Sequence, residues 1–242
     1  MAMAIRSLGL SELKPFSPEE KVIELKIEAE SKKKSLLTMN LRQFCNETLS
    51  DSPAPGGGSV AALMGALGTS LGGMVANLSA GKRGWDDKIQ FFSEWAVKAQ
   101  ELKDELLFLV DEDTAAFNQV MSAFGLPKES TEEKTARSNA IQAATKYAAE
   151  VPLRVMQTAS RSYELLEKMA AEGNPASLSD VGVGLLATRA CIDGAALNVR
   201  INLGSLKDEK VKGELSKRVT AVADESHTHF DRINQVIEKK LN

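Results

Sequence analysis

Between Asp86 and Phe124 the large apolar residues Phe91, Trp95, Leu102, Leu106, Leu109, Phe117, Val120 and Phe124 recur at spacings of three, four or seven, interrupted at 113. That is the repeat of a helix burying one face. The prolines at 15, 18, 53, 55, 127, 152 and 175 divide the rest of the chain. Residues 59–80 read as a helix of alanine, glycine and small hydroxyl residues, and residues 131–171 as another. A bend is expected at Pro152, because an interior proline removes one backbone donor and crowds the preceding turn. Residues 177–203 and 207–241 complete the set. No segment alternates as a strand between turn residues. The expectation is an all-α bundle of about five long helices.

Residues 1–38 look different. Ser17, Pro18 and Glu20 make a helix start with a capping box, followed by the charged run "KIEAESKKKSLL". This part reads as a short helix and linker, with the helical domain at 39–242. Over the whole chain, 43% of residues are hydrophobic and 26% charged, the balance of a globular protein with a core. The net charge of −3 predicts no chain-wide attraction to nucleic acid or an anionic membrane. Cys45 and Cys191 show neither metal spacing nor a disulfide framework. No leader and no apolar run of spanning length are read, so the expected compartment is the reducing cytoplasm.

Three places depart from the helical pattern. The apolar stripe through Leu102, Leu106 and Leu109 lands next on Asp113, where an apolar residue is expected. A carboxylate facing the interior needs a partner, and its pKa tends to rise. Asp113 is therefore either a structural buried aspartate or a proton-transfer group, and the pattern leaves both open. Asp111, about 200° around the helix, faces elsewhere. Second, "PAPGGGSV" places Gly56, Gly57, Gly58 and Ser59 at a helix start. Unpaired N–H groups there suit a carboxylate or phosphate; alternatively, the glycines permit a tight entry and Ser59 caps the helix. No Gly-Lys-Ser/Thr follows, which excludes a nucleotide P-loop.

Third, Asp180, Gly184, Ala187, Cys191, Asn198 and Asn202 share one face of the fourth helix, small in the middle and polar at both ends. Asn198 and Asn202, one turn apart, can grip one ligand group. Asp180 and Asn198 are about 27 Å apart at helical rise, so they serve opposite ends of a long ligand or two sites across a dimer. Ser177 and Asp180 also have the spacing of a capping pair. His227 and His229 point apart at i, i+2, lack a third ligand and read as a solvated face rather than a metal site. Acid–base chemistry elsewhere then falls to carboxylates, lysine or tyrosine.

Taken in order, "APGGGSVAAL" (54–63), "LVDEDTAAF" (109–117), "LPKESTEEK" (126–134), "VPL" (151–153), the "GN" and "SD" of 173–174 and 179–180, and "NVRINL" (198–203) resemble the formiminotetrahydrofolate cyclodeaminase family. This is the helical half of formiminotransferase–cyclodeaminase. Upstream, "LGLSELKPFSPEEKVIE" (8–24) resembles the end of the transferase domain, whose body this sequence lacks. The resemblance implies closure of 5-formiminotetrahydrofolate to 5,10-methenyltetrahydrofolate with loss of ammonia, a late step of histidine degradation. No cofactor beyond the tetrahydrofolate substrate and no metal is expected. It points to Asp113 and Asp180 as catalytic residues. Gly56, Gly57, Gly58, Ser59, Lys128, Asn198 and Asn202 are the binding positions, with the glycine helix start and Lys128 facing a glutamate tail. Lys82 and Arg83 are possible helpers for the same tail. Alternatives are a methenyltetrahydrofolate cyclohydrolase and a non-catalytic folate-binding helical dimer. Expected partners are a tetrahydrofolate derivative, a second copy of the chain, and a formiminotransferase domain or chain. The small-residue faces of helices 59–80 and 177–203 motivate the homo-oligomer.

Overall fold

The computed structural model describes residues 35–242; the helix start expected at Ser17–Glu20 lies outside them. The chain divides into two compact units, one ending at Asn46 and the other spanning Glu47–Asn242. In the first, Ser35 caps a 3-10 turn at Leu36–Thr38. Asn40 and Gln43 then exchange side-chain-to-backbone bonds at the start of α1, Leu41–Leu49.

The second unit is a helical bundle. Its elements are α2 (Gly57–Ala80), α3 (Ile89–Phe124), α4 (Thr131–Ser160), α5 (Ser162–Glu172), α6 (Leu178–Leu203) and α7 (Glu209–Leu241). Among the described residues there is no strand. Helix starts are chemically marked. Ser130 and Glu133 form a capping box at α4, and the Asp208 carboxylate accepts the N–H groups of Lys210 and Val211 at α7.

The small-residue helix α2 occupies the middle, packed against α3 on one side and α6 on another. Its glycines are where neighbours come closest. A Cβ on Gly68 would stand 2.7 Å from the Gly184 carbonyl oxygen of α6, and one on Gly65 would stand 2.7 Å from Cys191 Sγ. Gly57 lies against Asn198 and Gly194 against Ala61, so α2 and α6 run antiparallel along nearly their whole length. The expected small-residue contact is therefore made inside the chain. Contrary to the expectation of no apolar run of spanning length, α2 is long and apolar enough to cross a membrane, with a mean hydropathy of 1.5 over its most apolar window. However, 61% of that stretch is buried in the bundle. Leu106, Leu109, Tyr163, Leu185, Ile192 and Ile233 fill the surrounding core with almost no exposure.

The expected bend at Pro152 is not the break. Helix α4 runs through Pro152, and the helical run parts at Arg161, whose N–H reaches back only to Thr158. Proline at 152 leaves the Ala148 carbonyl without its usual donor. Asn202 fills the gap, its Nδ2 donating to Ala148 O at 2.8 Å and to Asn198 O at 3.0 Å. Val151, Pro152 and Leu153 are all buried, so tertiary packing holds the turn that local sequence would loosen. The second bond belongs to α6 itself.

Two stability measurements follow. Gly68→Val should lower the free energy of urea unfolding by about 1–3 kcal/mol or more, because the side chain meets a backbone carbonyl that cannot move aside. Asn202→Ala should cost about 1–3 kcal/mol by orphaning the buried carbonyl. In a Pro152→Ala background, where the backbone supplies that donor, the cost of Asn202→Ala should shrink; an unchanged cost would show that Asn202 acts elsewhere.

Candidate active site

Gly56 is the N-cap of α2 and offers no side-chain bond, so Ser59 is not the cap: it sits inside the first turn. The acceptor for that helix end comes from α3. The carboxylate of Asp113 accepts both the backbone N–H and the hydroxyl of Ser59, with Ser59 Oγ 3.2 Å from Asp113 Oδ2. Gly58 lies directly under this carboxylate, and a Cβ there would collide with it. An anion at a helix N-terminus is favoured by the exposed N–H groups and the helix dipole. Here the chain supplies that anion itself.

Ser59 is completely buried, and its one hydroxyl proton has three oxygen neighbours. Val110 O lies at 2.8 Å, Asp113 Oδ2 at 3.2 Å and Thr114 Oγ1 at 3.2 Å. The Val110 carbonyl is the nearest, so the bond to Asp113 is shared. Burial outweighs the two Ser59 bonds and holds the Asp113 pKa above its usual value of 3.8. This carboxyl group is thus poised to exchange a proton closer to neutrality than an exposed aspartate.

Asn198 completes the rim. Its amide is 3.3 Å from where a Gly57 Cβ would stand, while its Nδ2 donates to Gly194 O at 2.9 Å. Gly57 is exposed and Gly56 half-buried, which leaves backbone N–H groups accessible beside Asn198. Asn202 lies one turn further on, engaged with Ala148. The structure therefore brings together Gly56, Gly57, Gly58, Ser59, Asp113 and Asn198, with Asn202 adjoining.

It does not bring in Asp180 or Lys128. Asp180 stands in the first turn of α6, about 27 Å from Asn198 along a continuous helix. Ser177 makes no side-chain capping bond, so the Ser177–Asp180 capping pair is not formed. Lys128 is exposed in the loop after α3, whose end at Phe124 is about 16 Å beyond Asp113 at helical rise. Lys82 and Arg83 follow the far end of α2; Lys82 approaches Asn174 at 3.4 Å and lies over the Trp85 ring. His227 is exposed toward Asp193 at 3.7 Å, whereas His229 is stacked on buried Tyr163, so only the first fits a solvated face.

The sequence pattern missed one polar pair beside the site. Tyr147 on α4 donates its phenol to Glu112, the neighbour of Asp113. That bond, reinforced by burial, raises the phenol's pKa above 10.0. Nothing in the one-dimensional pattern joins positions so far apart; only the clustered acids at 111–113 hinted that the region is polar.

An all-α bundle with a half-buried carboxylate against a glycine helix start defines a helical domain with a candidate acid–base site. The family described as formiminotransferase-cyclodeaminase matches residues 40–221, and this chain belongs to it. Formimidoyltransferase-cyclodeaminase of Gallus gallus is 37% identical over 238 residues, 98% of this chain and 44% of that protein. Methenyltetrahydrofolate cyclohydrolase of Methylorubrum extorquens is 35% identical over 202 residues, 84% of this chain and 97% of that protein. The crystal structure of formiminotetrahydrofolate cyclodeaminase from Thermotoga maritima superposes with a TM-score of 0.76 at 27% identity, covering 86% of this chain and all of that one. The chain thus spans less than half the length of the bifunctional relative but nearly all of the two shorter ones.

The raised pKa has a signed consequence. Asp113 binds its proton more tightly folded than unfolded, so its contribution to stability is full below about pH 4 and is lost as pH rises through the raised folded value. Asp113→Asn removes that dependence. The stability of the variant relative to wild type should therefore increase as pH rises above about 4, measured by urea unfolding. A constant difference would show that the carboxyl has the same affinity for its proton in both states.

Proposed function

We propose that this chain is a formimidoyltetrahydrofolate cyclodeaminase, closing 5-formiminotetrahydrofolate to 5,10-methenyltetrahydrofolate with release of ammonia, as in histidine degradation. The observation that carries the reading is Asp113, a half-buried carboxyl with a raised pKa at an accessible helix start, in a chain of this family. In the reaction N10 of the folate attacks the formimino carbon and forms the new C–N bond. The formimino group, an amidine, enters as its cation; Asp113 takes the proton from N10 and returns it to the former formimino nitrogen, now an amine, whose bond to carbon then breaks to release ammonia and leave the positive charge on the methenyl bridge. One group working first as base and then as acid needs a pKa near the working pH. The Gly56 and Gly57 N–H groups and the Asn198 amide hold the folate beside it.

The glutamate tail is assigned to the end of the bundle beyond Phe124. Lys128 is exposed there, and Lys134, Arg137 and Lys207 line a cavity of about 240 Å³ with no carboxylate among its lining residues. Arg137 is fixed by donating to the Phe124 carbonyl, which ties this basic cluster to the end of α3. A second reading, hydrolysis of the methenyl bridge to 10-formyltetrahydrofolate, is favoured by the cyclohydrolase relative that this chain covers almost end to end.

Incubation with 5-formiminotetrahydrofolate separates the two. Appearance of the methenyl absorbance with equimolar ammonia supports the cyclodeaminase; loss of methenyltetrahydrofolate absorbance, without reaction of the formimino compound, supports the cyclohydrolase. Asp113→Asn should lower turnover by roughly 10²–10⁴-fold with little change in folate affinity. A folded variant with near-normal turnover would reduce Asp113 to a structural cap. Lys128→Ala should weaken polyglutamylated folate more than monoglutamate folate, because each added carboxylate gains from the lysine. Equal losses would place Lys128 away from the tail.

A further inference from the structure

The Asp113 carboxylate has little freedom of its own, because Gly58 lies against it and the Ser59 N–H is bonded to it. The Ser59 hydroxyl is placed differently. It is fully buried, with one proton and three oxygen neighbours: Val110 O at 2.8 Å, Asp113 Oδ2 at 3.2 Å and Thr114 Oγ1 at 3.2 Å. A hydroxyl donates one hydrogen bond and accepts two. The Val110 carbonyl and the ionised carboxylate can only accept, so they compete for the Ser59 proton. Thr114 can also donate, and it serves a lone pair of Ser59 Oγ whichever way that proton turns.

The charge on Asp113 decides that competition. An ionised carboxylate holds a hydroxyl donor more strongly than a neutral carbonyl does, and a protonated carboxyl loses that advantage. Val110 O lies inside α3 and has its helix's own donor, so it is not orphaned when the hydroxyl turns away. One rotation about the Ser59 Cβ–Oγ bond exchanges the two partners, and no heavy atom has to move. The charged groups around Asp113 are engaged elsewhere. Glu112 accepts from Tyr147 on α4, which Arg154 also approaches, and Lys146 faces Glu150 at 3.7 Å. Asp111 lies about 200° around α3, Arg200 of α6 is exposed, and the first turn of α2 carries no acid. Burial and the two Ser59 bonds are what act on the Asp113 carboxyl.

We infer that Ser59 is a positioning residue for proton transfer, its hydroxyl turning to Asp113 Oδ2 while that carboxyl is ionised and to Val110 O while it holds the substrate's proton. The inference rests on the proposed role of Asp113. The hydroxyl proton itself never leaves Ser59. When the N10 proton passes to the Asp113 carboxylate, the hydroxyl swings to Val110 O. When Asp113 delivers that proton to the departing nitrogen, the anion is restored and the hydroxyl swings back. Each form of Asp113 thus meets a hydrogen-bonded surrounding, and burial does not lock the carboxyl in its neutral form. Ser59 acts here through Asp113, neither capping its own helix nor touching the folate.

The test is the pH dependence of kcat/KM for Ser59→Ala in the full chain, on whichever of the two folates wild type turns over. The rate falls at low pH as the free enzyme's Asp113 takes up a proton. Removing a donor to the ionised carboxyl should move that acidic limb up by about one pH unit, about a tenfold loss at a pH on the limb. Ser59→Cys keeps a weaker donor and should fall between alanine and wild type; its shift decides the matter if the alanine variant does not fold. Thr114→Val leaves both acceptors of the Ser59 proton in place and should move the limb much less. A limb that stays put while the rate drops equally at every pH, or an equal shift in Thr114→Val, overturns the inference. Carbon-13 NMR of the aspartate carboxyls, with Asp113 assigned by its loss in Asp113→Asn, follows the same titration without turnover. If wild type acts on neither folate, the functional reading fails, and an unchanged Asp113 midpoint in Ser59→Ala would separately overturn the hydroxyl's role.

Discussion

The close approach of α2 and α6 sets the positions of everything else. Two helices can run this near each other only where side chains are nearly absent, and Gly65, Gly68 and Gly184 supply that absence on the facing sides. The contact replaces side-chain packing by backbone-to-backbone proximity, which leaves few ways to slide one helix along the other. With the register fixed, Gly57 must lie at Asn198, and the N-terminus of α2 must open beside the last turns of α6. Lengthening any of those glycines by one methyl group would shift both ends of the pair, and the site with them.

The second constraint is electrostatic. A helix start made of glycine has unpaired N–H groups and a partial positive charge, and Asp113 answers both from a neighbouring helix. Stability and chemistry are coupled through this contact. A fully solvated carboxylate would hold no special proton affinity, while a fully paired one would stay ionised. Burial with a shared serine hydroxyl falls between these limits, which suits a group asked to take and return a proton. The same logic governs Asn202, whose amide serves a backbone carbonyl released by Pro152. A residue with a polar side chain on a small-residue face can thus be structural in the free protein while lying one turn from the proposed ligand.

Belonging to a family with both cyclodeaminase and cyclohydrolase members is consistent with this arrangement. Attack on a one-carbon unit between two folate nitrogens needs a proton carrier and an ordered pterin in either case. What differs is the nucleophile and the leaving group.

Proline positions, apolar spacing and small-residue composition together placed the helices of residues 57–241 to within a few residues, except that the run read as one helix over 131–171 parts at Arg161. The apolar spacing also isolated Asp113, since a charge in that stripe is costly unless something answers it. The ordered motifs carried the family. Sequence could not decide that α4 survives Pro152, because the donor replacing the lost N–H comes from Asn202 on another helix. Nor could it decide that Ser59 serves Asp113 rather than capping its own helix, that Glu112 meets Tyr147, or that His229 stacks on Tyr163. Each of these is a contact between positions far apart in the chain, and a periodicity reports which way a residue faces without naming what it meets. Only the packing of α2 between α3 and α6 decided that the glycine start, the half-buried Asp113 and Asn198 share one place, while Asp180 stands a helix length away.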